Sequence, residues 1–113
     1  MSQGTVRLRY GEELFEGKVD AWDNPDNGAS YEIHFSGLED DGWFLGSCKL
    51  QRVANGWKYT GTGLWQYRDK DEVYPSTLRV QLHLEGKLLV LEGQWQYLDE
   101  DEPYQLHIVL ENR

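Results

Sequence analysis

Two kinds of side chain in this sequence carry chemistry, and both recur at a fixed spacing. Carboxylates crowd into four turns: Gly11-Glu12-Glu13, Glu39-Asp40-Asp41-Gly42, Asp69-Lys70-Asp71-Glu72 and Asp99-Glu100-Asp101-Glu102, near 30 residues apart each time. Gathered together, they would attract a cationic ligand, a basic partner or Ca²⁺. They would equally serve to keep hairpin tips wet. Calcium fits worst, since the one EF-like stretch, Asp23-Asn24-Pro25-Asp26-Asn27-Gly28, has Pro25 at a ligand position and His34 where a bidentate Glu is needed. The second kind is aromatic. Trp57, Tyr59, Trp65, Tyr67, Trp95 and Tyr97 fall in one phase of alternation. Ring faces attract cations, and rings with a few polar groups at the mouth make a small-molecule pocket. The same rings opposite glycines would also simply fill a core.

Other reactive residues offer less. His34, His83 and His107 are each flanked by inward apolar residues, so all three point outward, and they fall on strands that are not neighbours in a closed meander, which makes a shared metal site within one chain geometrically poor. Cys48 alternates with Phe44 and Leu50 as a small buried hydrophobe, without the base or electropositive setting a nucleophile needs. No Gly-x-Ser-x-Gly elbow or phosphate-cradling glycine loop is present. The expectation is a protein that is not an enzyme and needs no cofactor or metal.

The elements that must position these groups are strands. Thr77-Leu78-Arg79-Val80-Gln81-Leu82-His83-Leu84 alternates apolar and polar, as do Tyr104-Gln105-Leu106-His107-Ile108 and Tyr31-Glu32-Ile33-His34-Phe35. A period of two puts one set on a buried face and the other in water. No helical stripe interrupts them. A second set of turns, Asp26-Asn27-Gly28, Asn55-Gly56 and Glu85-Gly86, lies between the acidic ones, and Asn55-Gly56 suits the positive φ of a tight hairpin. The chain parses into strands near residues 4–10, 14–22, 29–37, 43–53, 57–67, 74–84, 88–97 and 104–111. The period echoes in sequence: Gly63-Leu64-Trp65-Gln66-Tyr67 matches Gly93-Gln94-Trp95-Gln96-Tyr97 after 30 residues, and Tyr74 and Tyr104 follow at the same offset.

Four successive hairpins of about 30 residues make an eight-stranded antiparallel up-and-down meander. Closure into a β-barrel removes both raw edges, so one all-β barrel domain over residues 1–113 is expected. A partly open curved sheet or a β-sandwich is the alternative. Predicted inward residues are Ile33, Phe35, Phe44, Cys48, Leu50, Trp57, Tyr59, Trp65, Tyr67, Val80, Leu82, Leu84, Leu89, Leu91, Trp95, Tyr97, Leu106, Ile108 and Leu110. Gly61, Gly63 and Gly93 share their face, leaving room for rings or letting a strand bend. Leu88 and Val90 make the seventh strand apolar on its other face too, which predicts contact with a partner or with a second copy. Turns one, three, five and seven meet at one end, which gathers 12 of the 20 acidic residues there.

The repeated Gly-x-Trp on such a meander resembles the calycins, the avidins and lipocalins. The resemblance implies a barrel able to hold a small molecule, without specifying which. The chain departs from lipocalins in its first strand, Val6-Arg7-Leu8-Arg9-Tyr10, which has no Gly-x-Trp and no following helix.

Charge and composition narrow the partners. The net charge of −9 repels nucleic acid and anionic lipid, no apolar run spans a bilayer, and Met1-Ser2-Gln3-Gly4-Thr5 lacks a signal pattern. A single cysteine fits a reducing cytoplasm. The expected function is capture of a small apolar or cationic ligand by Trp57, Tyr59, Trp65, Tyr67, Trp95 and Tyr97, with Asp71 and Asp101 at the mouth. The alternative is a structural or protein-interaction module with a filled core, self-associating in one form.

Overall fold

In a computed structural model the chain forms eight strands: β1 (Gly4–Tyr10), β2 (Glu13–Asp23), β3 (Ser30–Glu39), β4 (Gly42–Arg52), β5 (Lys58–Tyr67), β6 (Val73–Glu85), β7 (Leu88–Tyr97) and β8 (Tyr104–Glu111). The structure describes residues 3–25, 27–40, 42–54 and 56–111. Met1, Ser2, Asp26, Asp41 and Asn55, which the sequence reading used, lie outside them. Each strand pairs antiparallel with the next, and β1 pairs with β8, so the sheet closes into an up-and-down barrel. The open sheet and the sandwich are thereby set aside. No helix occurs among the described residues, and so none is long and apolar enough to cross a membrane.

Alternation decides what lies inside. Val6 and Leu8 of β1, Ile33 and Phe35 of β3, Phe44, Cys48 and Leu50 of β4 and the even-numbered residues Leu78 to Leu82 of β6 are all buried. So are Leu106, Ile108 and Leu110 of β8. Two predicted inward residues differ. Leu84 has the right phase but stands 62% exposed, because β6 runs on past the rim. Trp57 is 60% exposed: β5 begins only at Lys58, and the indole sits beyond the wall beside Arg52, Ala54 and Gly56.

One core residue hid from the periodicity. The register of β2 against β3 slips between Val19 and Ala21, a bulge that sets one extra residue against the partner strand. The slip reverses the facing, so Val19 and Trp22 are both buried although three residues apart. Val90 is buried as well, on the outer wall, where its register partners His83 and Val109 flank it. The two-sided burial of β7 is therefore met within the chain at this position, without a second copy.

The turns obey their own chemistry. Positive φ in the β4–β5 connection falls on Ala54, at 51°, and not on Gly56. In the β2–β3 connection it falls on Asn27 and Gly28, and the Asn24 side chain accepts from the Gly28 N–H.

Candidate functional site

The repeated five residues of β5 and β7 build the acidic end twice over. Trp65 and Trp95 point inward two residues before Tyr67 and Tyr97, while the intervening Gln66 and Gln96 reach forward. The Gln66 amide donates to the Lys70 carbonyl and the Gln96 amide to the Glu100 carbonyl. Backbone bonds from Lys70 N to Tyr67 O, 3.1 Å, and from Glu100 N to Tyr97 O, 3.2 Å, complete two matching turns. Each turn satisfies itself and leaves the rings behind it uncovered.

Below the rim the barrel is filled. Phe44 stacks on Trp65 with centroids 4.1 Å apart and planes at 13°. Trp65 meets Trp95 edge-on at 6.3 Å, and Phe35 touches both. Glycine makes this possible: a Cβ at Gly63 would lie 2.7 Å from the Trp95 ring. The two indoles are thus on the same side of the sheet wall.

Above this plug lies a cup of about 300 Å³. Phe15, Trp65, Tyr67, Tyr74, Tyr97 and Tyr104 line it, and Lys70, Asp99 and Glu100 stand at its edge. The rings support one another: Tyr67 meets Tyr74 edge-on, and Tyr97 meets Tyr104 edge-on at 5.3 Å. The Lys70 ammonium sits 5.2 Å from the Tyr67 centroid. Burial holds the Tyr97 phenol far above its ordinary pKa, with the neighbouring Tyr104 and Tyr67 phenols adding to the rise. Tyr104 is raised for the same reason, reinforced by Glu100 and Glu13. Both hydroxyls therefore stay protonated and able to donate. Two buried polar atoms lie next to Tyr97: Ser76 Oγ, on its cross-strand partner, and Trp95 Nε1. Neither has hydrogen-bond geometry to a protein acceptor or donor, though the indole is near enough to the phenol to offset a little of the pKa rise.

The structure thus unites Trp65, Tyr67 and Tyr97 in the cup and places Trp95 in the plug beneath. It separates the rest. Tyr59 is buried at the opposite end of the barrel, where it packs edge-on against Tyr31 at 5.4 Å and donates to the Gly28 carbonyl. Trp57 lies outside the wall. Asp71 and Asp101 do not line the cup; Asp101 faces an adjoining acidic hollow with Tyr10, Glu13 and Glu102. Glu72 and Glu102 are taken up as acceptors for the Tyr74 and Tyr10 hydroxyls. Tyr74 and Tyr104 are cup residues, and the signal for them was their shared offset from the repeated motif. Phe15 had no such signal.

Cys48 is buried, and burial pushes its thiol up to about 12. The three histidines lie on the outer face, but Glu92 on β7 stands between His83 and His107, within 3.7 Å and 3.5 Å of their Nε2 atoms. Among the described residues no group of three His, Cys, Asp or Glu side chains is arranged to hold a metal ion. No family model, curated protein or solved structure matches this chain.

Proposed function

We propose that this protein is a non-catalytic, calycin-like barrel that binds a small apolar or cationic ligand at its acidic mouth. The cup of about 300 Å³ carries the reading. Its walls are ring faces and protonated phenols, its edge holds Asp99 and Glu100, and Lys70 already lies against one ring. A cationic ligand would replace that ammonium over Tyr67, gaining ring and carboxylate contacts together. The plug of Phe35, Phe44, Trp65 and Trp95 makes the site shallow, so the ligand is small and held at the rim. A thiol raised to about 12 is a poor nucleophile, in keeping with a binding role.

Trp65 reports directly on occupancy. In a screen of small cationic and aromatic metabolites, binders shift the tryptophan emission, and Tyr97→Ala with Tyr104→Ala abolishes the shift. A screen in which nothing moves the emission, or in which the double variant responds unchanged, rejects the reading.

A second reading rests on a different observation. Leu38, Trp43, Leu45, Leu64 and Val73 are each 45–61% exposed on the outer faces of β3 to β6; Leu38 faces Trp43 across its ladder, and Gln66, two residues from Leu64, is the register partner of both Leu45 and Val73. With a filled interior, this strip suits an interaction module that pairs with a second copy. Light scattering on the protein and on Leu45→Lys distinguishes the two: a dimer that the variant dissolves supports the second reading.

A further inference from the structure

The outside of a barrel is expected to be convex, yet the wall over β1, β8, β7 and β6 carries an open groove of about 720 Å³. Its floor includes the backbone at Gly93 and Leu106. A Cβ at Gly93 would lie 1.9 Å from the Arg79 carbonyl oxygen, so β7 presses on β6 in a way only glycine allows. The balance of charged groups lining the groove differs from that of the molecule. The chain has 20 Asp and Glu against 11 Lys and Arg, but here Arg7, Arg9, His83 and His107 face one carboxylate, Glu92.

That carboxylate lies beside both imidazoles. Glu92 Oε1 is 3.5 Å from His107 Nε2 and 3.7 Å from His83 Nε2. Among the described residues Arg9 has no carboxylate within salt-bridge distance. Arg7 reaches Glu16 only at 3.9 Å, with both side chains more than half exposed, which contributes little. Three amide side chains, Gln81, Gln94 and Gln105, face the same space.

We propose that this groove is a second binding site, for a small anion bearing carboxylate or phosphate groups. Guanidinium groups present planar forks that match such oxygens two at a time. Arg7 and Arg9 hold the anion, and the glutamine amides orient it. Glu85, 3.2 Å from His83, and Glu16 stand at the margins.

The test is an amide chemical-shift titration with citrate and, separately, inorganic phosphate, each against sodium chloride at matched ionic strength. Saturable shifts at Arg7–Arg9, Glu92–Gln94 and Gln105–His107 are expected. A response to citrate alone assigns a carboxylate ligand, and one to phosphate alone a phosphate. The effect is lost in Arg9→Gln and kept in Tyr97→Ala, which separates it from the mouth site. Shifts that sodium chloride reproduces, or that Arg9→Gln leaves unchanged, overturn the proposal, as does the absence of any saturable shift with either anion.

Discussion

The two ends of the barrel are built from the same aromatic material and finish differently. At one end Trp22, Tyr31 and Tyr59 pack together, with ring centroids 6.1 Å and 5.4 Å apart. Tyr59 then donates to the Gly28 carbonyl in the β2–β3 turn, and the Trp22 indole donates to the Glu111 carbonyl. Those bonds draw backbone over the rings and shut the end. At the other end Gln66 and Gln96 satisfy their own turns, so no backbone is drawn across Tyr67, Tyr74, Tyr97 and Tyr104. A barrel mouth is open or shut according to where its turns find hydrogen-bond partners.

The largest expected effect comes from the floor between the ends. Trp95 is fully buried and touches Phe35, Trp65 and Tyr97. Trp95→Ala should cost about 3–5 kcal/mol in denaturant unfolding and make the shallow cup a deep one. If binding at the mouth survives with larger ligands accepted, depth is what separates the ends.

Alkali should erode stability in steps. The Cys48 thiol is raised from 9.0 to about 12, so the unfolded chain loses that proton first. Stability is full below about pH 9 and falls by about 1.4 kcal/mol per pH unit as pH rises towards about 12. The raised phenols join above the ordinary tyrosine value of 10.0. Cys48→Ala should move the onset up by about one pH unit in thermal melts; an unchanged onset would mean the thiol titrates freely in the folded protein.

Tyr59→Phe sharpens the comparison further. It removes the bond to Gly28 and should cost about 1 kcal/mol, with the emission response of the mouth intact. Smallest is Ala54→Gly, which relieves a left-handed alanine at φ 51° and should add about 0.5 kcal/mol. A loss there would show that the turn tolerates the alanine.

Strand order and nearly all strand limits were legible because alternation is strict wherever one face is buried. The legibility stops where the period breaks. Trp22 was hidden by the bulge after Val19, which moves it out of phase with Phe15. Trp57 kept the phase but fell one residue short of its strand. The acidic end was found correctly as an end, because meander order alone fixes it. The particular acids were not: turn conformation sets them, and it brings Asp99 and Glu100 to the cup while leaving Asp71 and Asp101 aside. The pairing of His83 and His107 through Glu92 was missed because only direct neighbours among the histidines were weighed.

The β1–β8 ladder differs from every other pairing in the molecule. Seven ladders join consecutive strands; this one joins Gly4 to Leu110 and is clasped by Glu111 N to Gln3 O at 2.9 Å. Closing so long a loop carries the greatest entropic penalty, which places it last in assembly. Should it part, two bare strands are released at once, each fitted to the other's counterpart in a neighbouring molecule, so this seam is where exchange of strands between molecules would begin.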